Sequence, residues 1–289
     1  MNLQISRKIT KTIKRMPGAV LFLEPVRRRY LTLDETVRIA DFDGDIKVEL
    51  DLNEHMASRI FWYGSYSRDI LITLSRLLKP GMVMFDIGAN IGEITLFAAK
   101  LVGSSGRVHA FEPMASLADK LRSNIALNSY TQVQAVELAV SAAPGIGSLF
   151  RNEGKFSDGS VHSGLGTLHP YGTRVVSEGE VHLISVDAYC ADHGVERLDA
   201  IKIDVEGSEL AALRGAANTI ERLRPSIIVE VNAETSRAAG YEHTEILRVL
   251  MEHKYIFKKI GRKGRLTEIA INNLDPFSNV LCMPGGKGG

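Results

Sequence analysis

The 289-residue chain is 45% hydrophobic and 24% charged with a formal net charge of +1, an ordinary composition for a soluble globular domain with attachments. Near-neutral charge excludes a global bias toward nucleic acid or anionic surfaces, so no nucleic-acid partner is expected. Cys190 and Cys282 form neither a metal-ligand spacing nor a disulfide framework, no apolar run approaches the roughly 20 residues of a membrane span, and no secretory h-region is visible, so a cytoplasmic protein is expected.

In chain order, residues 1–30 form a basic N-terminal arm. Ile5, Ile9, Ile13 and Met16 fall on one helical stripe, with Arg7, Lys8, Lys11, Lys14 and Arg15 on the opposite arc, and Arg27-Arg28-Arg29 adds charge nearby. Two readings stand side by side: a membrane-surface helix making peripheral contact, and a helix packed on its own domain or a mobile end. Residues 31–80 read as an extension with a hairpin over Val37–Leu52, turning at Asp43-Gly44, and a lead-in helix.

Residues 81–284 form the core. Val83–Asp86 reads as a buried strand, followed by a helix with Ile94, Phe97, Ala98 and Leu101 on one face. Further strands are predicted over Arg107–Glu112, Gln132–Val140, Asp199–Asp204, Ser226–Val231, Tyr255–Ile260 and Asn279–Met283, most separated by helical patterns. Repeated β-then-α units predict a parallel sheet with helices on both faces and a ligand at the carboxyl ends of its strands. Residues 145–180, rich in Gly, Ser and His with little periodicity, read as a functional loop or lid carrying His162 and His169, and 285–289 as a flexible tail.

Three groups carry chemistry. Asp86-Ile87-Gly88-Ala89-Asn90-Ile91-Gly92 joins the first strand to its helix. Glycines at 88 and 92 permit a tight turn, and the helix start is expected to offer free N–H groups to a ligand. Asp86 would repel a dinucleotide pyrophosphate but would suit a cationic ligand such as S-adenosylmethionine. Glu112, before Pro113 at the end of the second strand, lies at the position from which a carboxylate accepts the two hydroxyls of an adenosine ribose; a surface carboxylate near a helix start is the plainer reading. In Lys202-Ile203-Asp204-Val205-Glu206, strand alternation places Lys202, Asp204 and Glu206 on one side, facing the cleft; a salt bridge with a helix cap is the alternative. Glu230 and Asn232 are weaker versions of the same idea.

FDIGANIGEITLFAAK, AFEP, ELAVS, KIDVEGSELAALRGA and RPSIIVEV resemble, in order and spacing, the FkbM-type S-adenosylmethionine-dependent methyltransferases, and FWYGSY (61–66) is similar to the W-x-x-G-x-Y segment ahead of that core. The resemblance spans about residues 35–283. It implies a class I (Rossmann-like) α/β fold with a seven-stranded, mostly parallel sheet whose last strand is antiparallel. It also implies O-methylation of a hydroxyl on a sugar, glycan, glycolipid or related natural product. Asp86, Gly88, Asn90 and Gly92 would then bound the methionine part of the cofactor, Glu112 with Pro113 the ribose, and Asp204 and Glu206 the transfer site. Asp204 or Glu206 would act as general base with Lys202 keeping it ionised, or the two acids would bind a divalent metal. Competing readings are an N-methyltransferase of an amino sugar, a non-catalytic membrane-associated binding module, and a dinucleotide oxidoreductase, for which G-A-N-I-G lacks the G-x-G-x-x-G pattern.

Overall fold

Runs in which successive residues are all apolar, such as Val108–Phe111 interrupted only by His109, or Ile227–Val229, need cover on both faces of a strand, and they form the centre of one sheet. The computed structural model describes residues 3, 6, 7, 10, 19–30, 35–152, 154–155, 161–162, 166–172 and 175–286, with backbone alone at 19–23, 29, 152, 154–155 and 161–162.

The strands in chain order are β1 (Thr36–Phe42), β2 (Ile46–Asp51), β3 (Val83–Ile87), β4 (Arg107–Phe111), β5 (Val133–Val136), β6 (Ala139–Val140), β7 (Gly145–Asn152), β8 (Gly154–Lys155), β9 (Val161–His162), β10 (Gly166–Thr167), β11 (Val175–Ile184), β12 (Ala200–Ile203), β13 (Ser226–Asn232), β14 (Tyr255–Gly261), β15 (Arg265–Glu268) and β16 (Phe277–Pro284). The helices used below are α1 (Ala19–Tyr30), α2 (His55–Tyr63), α3 (Arg68–Leu77), α4 (Glu93–Val102), α5 (Ala115–Leu127), α6 (Val186–Asp192) and α7 (Glu209–Arg214).

The main sheet has the order β15-β14-β16-β13-β12-β3-β4-β5. Neighbours from β13 to β5 are parallel, and β16 runs antiparallel to both β13 and β14. This is the expected seven-stranded class I sheet with its last strand reversed. The short strand β15 adds an eighth at the edge, antiparallel to β14. Chain order reverses between β3 and β12, so the crevice opens where those two strands end.

Alternation sorts the side chains into two cores. Met84, Val108, Ala200 and Ile228 face one side with the hairpin and α2 to α5, while Phe85, Phe111, Ile201 and Val229 face the other with α6 and α7. The hairpin forms as expected, and Asp43 (φ 44°) and Gly44 (φ 97°) make its turn. Asn124 of α5 and Asn128 just beyond its end tie it down by accepting from the Glu49 and Lys47 N–H groups.

Two expectations need correction. Gln132–Val140 is not one strand: β5 joins the main sheet, whereas β6 pairs in parallel with β11 in a second sheet of order β10-β7-β11-β6. Within residues 145–180, expected as a functional loop or lid with little periodicity, the described residues include β7 and the start of β11, which form a long antiparallel ladder. At the N-terminus, Arg7 does not lie on an open basic face. It is 9% exposed, its guanidinium bonds Asp41 at 2.5 and 3.1 Å, and its Nε donates to the Phe61 carbonyl. Arg27 is likewise buried and bonded to Glu24. The apolar stripe Ile5, Ile9, Ile13 and Met16, and Lys8, Lys11, Lys14 and Arg15, lie outside the described residues, as do 287–289 of the tail. Among the described residues no helix is long and apolar enough to cross a membrane.

Candidate active site

Asp86 and Lys202 are register partners on adjacent parallel strands, so their side chains leave the same face of the sheet. Asp86 is fully buried; its Oδ2 accepts from Thr95 Oγ1 at 2.6 Å, and its Oδ1 has no hydrogen-bond partner among the described residues. Lys202 Nζ lies 3.9 Å from that Oδ1 and 3.3 Å from Asp204 Oδ2, and donates to the Gly88 carbonyl at 3.1 Å. Burial raises the Asp86 pKa, against the pull of Lys202. For Lys202, burial works to lower the pKa, but Asp204 and Asp86 outweigh it and the net shift is upward. The lysine is thus a charged strut linking the glycine loop to the end of β12. Asp86 supports it from beneath and is not among the residues lining the cleft.

The glycine loop differs from its expected role in one respect. The N–H groups of Gly88 and Ala89 both donate to the Phe111 carbonyl, that of Asn90 to Glu112 Oε2, that of Ile91 to Asn90 Oδ1, and that of Gly92 to Ala89. These five donors are used within the protein and cannot form a phosphate cradle. The loop instead serves approach: a Cβ on Gly88 would stand 1.9 Å from the Asp204 carbonyl oxygen, and one on Gly92 2.8 Å from Leu121 Cδ1. Asn90 takes a left-handed conformation (φ 51°), from which its amide meets Glu112.

Glu112 is 5% exposed and lines the cleft with Pro113. Its two oxygens accept one backbone N–H each, from Asn90 at 2.9 Å and Met114 at 3.0 Å. A carboxylate has about four lone-pair sites, so two remain for a ligand. Burial, only partly offset by those two bonds, pushes its pKa up to about 7.

Strand β12 ends at Ile203, so strict alternation does not carry Lys202, Asp204 and Glu206 to one side. A turn does it instead: Glu206 (φ 47°) and Gly207 (φ 103°) are both left-handed. Holding a glutamate there costs roughly 1–3 kcal/mol and needs support from its surroundings. Glu209 supplies it, accepting the N–H groups of Val205 at 3.0 Å and Gly207 at 3.0 Å. Thr167 adds a bond to the Glu206 carbonyl at 2.7 Å, and the Tyr171 hydroxyl donates to Glu206 Oε2 at 2.9 Å. Thr167 of the second sheet and the nearby Tyr171 therefore clasp this turn.

Glu230, at the end of β13, belongs to the same group. One oxygen each from Asp204, Glu206 and Glu230 lie within 4.8 Å of one another. Burial and the neighbouring Asp204 push Glu206 up to about 8 and Glu230 up to about 10. The all-oxygen set suits a hard cation, but Lys202 already brings one positive charge to Asp204.

The cleft of about 360 Å³ runs from Pro113 and Glu112, past Leu138 and Val140, to these three acids. Its outer rim includes Tyr66, Tyr171 and Phe277. Tyr66 is 45% exposed, yet desolvation of its hydroxyl and then the fields of Asp204, Glu230 and Glu206 push its pKa up to about 12. Its backbone is fixed by Glu93, which accepts the Tyr66 and Ser67 N–H groups at 2.6 and 3.0 Å. Sequence reasoning missed Glu93, Tyr66, Tyr171 and the weight of Glu230. A buried acid in the first turn of an apolar helix was the available signal for Glu93. His169 is half-buried and its backbone N–H donates to Thr167 Oγ1, whereas the His162 side chain lies outside the described residues.

A class I methyltransferase sheet with an acid-lined cleft at its switch point defines the class. Residues 86–257 match the family model described as the Methyltransferase FkbM domain, and the chain belongs to that family. It is 27% identical over 190 residues to the hexuronic acid methyltransferase AglP of Haloferax volcanii, covering 65% of this chain and 69% of that protein. It is 28% identical over 203 residues to the 31-O-demethyl-FK506 methyltransferase FkbM of Streptomyces tacrolimicus, covering 62% and 74%. A 27% identical match to the AMB antimetabolite synthetase AmbE of Pseudomonas aeruginosa covers 78% of this chain, which spans only 12% of that protein's length.

Proposed function

We propose that the cleft binds S-adenosylmethionine and that the protein methylates a hydroxyl group on a sugar, glycan, glycolipid or related natural product. The observation that carries this reading is Glu112, which lines the cleft and whose two oxygens are each anchored by one backbone N–H, with lone-pair capacity left for a ligand. That arrangement suits two adjacent ribose hydroxyls. A cleft of about 360 Å³ falls in the roughly 300–1,000 Å³ range of small-ligand sites. The names of AglP and FkbM support a hydroxyl or sugar acceptor for this chain too.

When bound, the donor supplies an electrophilic methyl group on a sulfonium. This chain's residues hold the acceptor oxygen in line with it, an orientational gain of up to roughly 7–11 kcal/mol. Asp204 takes the hydroxyl proton, with the Lys202 ammonium 3.3 Å from its Oδ2. A base placed so adds about 10²–10⁴-fold. The acidic lining offers a pyrophosphate cofactor no described cation beyond Lys202, which Asp204 already pairs.

Transfer of labelled methyl from S-adenosylmethionine to a panel of sugar and glycolipid acceptors tests the reading. Asp204→Asn is expected to lower the rate by about 10²–10⁴-fold while donor affinity stays within a factor of a few. An unchanged rate would remove Asp204 from the chemistry.

A further inference from the structure

The cleft is lined unevenly in residue type. Among the described residues five acidic side chains line it, Glu93, Glu112, Asp204, Glu206 and Glu230, with one basic side chain, Lys202. Glu93 is occupied by backbone N–H groups, Glu112 is assigned to the donor ribose, and the Lys202 ammonium is held by Gly88 and Asp204. Glu206 has one hydroxyl donor, from Tyr171, and no hydrogen bond from any described residue reaches the Glu230 carboxylate. A second observation stands beside them. Ser208 lines the same cleft, is 2% exposed, and its Oγ has no partner among the described residues. A buried hydroxyl left unmet is costly and calls for a ligand atom.

We infer that the acceptor carries a protonated amine beside the hydroxyl that is methylated, with Glu206 and Glu230 holding the ammonium and Asp204 facing the hydroxyl. This rests on the methyltransferase reading of the cleft. An ammonium presents three donors, and its positive charge offsets the burial and the Asp204 charge that push Glu206 up to about 8 and Glu230 up to about 10 in the free protein, so that they bind it as carboxylates. A neutral polyol would give donors without charge, and a carboxylate- or phosphate-bearing acceptor would find no described cation beyond Lys202. Tyr171 fixes one oxygen of Glu206, so its other oxygen and Glu230 remain for the ligand. An ammonium has no lone pair and cannot take a methyl group while it is held, so the neighbouring hydroxyl is the nucleophile and the amine is the handle.

Three small probes share a three-carbon frame and differ in charge: 2-amino-1,3-propanediol, glycerol and glycerate. Their dissociation constants for the full-length protein saturated with S-adenosylhomocysteine, in the presence of EDTA at pH 7.5, are measured by NMR titration. The amine is expected to bind about tenfold or more tightly than glycerol, and glycerate more weakly than either. In E230Q the amine's advantage is lost while S-adenosylhomocysteine affinity, a check on folding at the donor end, is kept. Glycerate binding as well as the amine overturns the inference, as does an amine preference that survives in E230Q. Displacement of the amine by Mg²⁺ in the absence of EDTA would instead make a divalent ion the occupant of the three acids. Failure of S-adenosylhomocysteine to bind at all would overturn the donor reading itself, a separate outcome.

Discussion

Replacing Gly88 by alanine tests the close approach on which the cleft depends. At φ +82° an alanine pays about 1–2 kcal/mol for the left-handed backbone. Its Cβ would also stand 1.9 Å from the Asp204 carbonyl oxygen and 2.9 Å from the carbonyl carbon, both backbone atoms with no rotamer to escape into. Overpacking of this kind adds about 1–3 kcal/mol. Gly88→Ala is therefore expected to lose about 2–5 kcal/mol and to displace Asp204 from its 3.3 Å contact with Lys202. Gly240 is the matched control: it has the same φ of +82°, but a Cβ there would meet nothing within 4 Å among the described residues. Gly240→Ala should lose only the backbone share, about 1–2 kcal/mol. Urea unfolding of both variants, with calorimetric titration of S-adenosylmethionine, separates the two contributions. Equal losses of stability, with donor affinity intact in both, would refute the argument that the loop and the Asp204 turn are held in contact.

Lys202→Met leaves the fully buried Asp86 without its cation and should cost about 3–5 kcal/mol, most of it recovered in Asp86→Asn/Lys202→Met; denaturant melts of the single and double variants check this, and no recovery would contradict the strut. His109 is buried against Tyr189, its Nδ1 2.8 Å from the phenol oxygen, and desolvation lowers its pKa from 6.5 to about 4. The unfolded chain takes this proton first, so its share of stability is whole above pH 6.5 and is lost as pH falls toward 4, about 2 kcal/mol by pH 5. Stability curves of wild type and His109→Phe should converge between pH 7 and 5 by that amount; parallel curves would rule it out.

The sheet order was legible because β3, β4, β12 and β13 are short, mostly apolar runs with a polar residue at or next to the carboxyl end, and helices between. Asp86, Glu112 and Asp204 were legible for the same reason, since a charge at the end of a buried strand has few places to go. The second sheet was hidden because β11 (VVSEGEVHLI) is exposed along most of its length and carries no period-2 apolar face. Residues 139–140 belong to that second sheet, and a run of alternating residues does not reveal where a strand leaves its neighbours. Glu206 reaches the cleft through two left-handed residues, which strand alternation does not foresee. Glu230, Tyr66 and Tyr171 come from elements distant in sequence, and only the fold brings them to one rim. Asp86 is expected from the sequence to suit a cationic ligand; within the protein the cation beside it is Lys202.

Binding of S-adenosylmethionine by wild type and Glu112→Gln, titrated calorimetrically at pH 6 and pH 8, tests the central claim most directly. Glu112 is pushed up to about 7 in the free protein, and ribose hydroxyls bind its ionised form. Protonation near pH 6 therefore competes with the ligand, and wild-type affinity should fall about tenfold from pH 8 to pH 6. Glu112→Gln should bind more weakly at pH 8 and lose most of that pH dependence. Tight binding by Glu112→Gln, equal to wild type at both pH values, would contradict the assignment of this cleft to the donor.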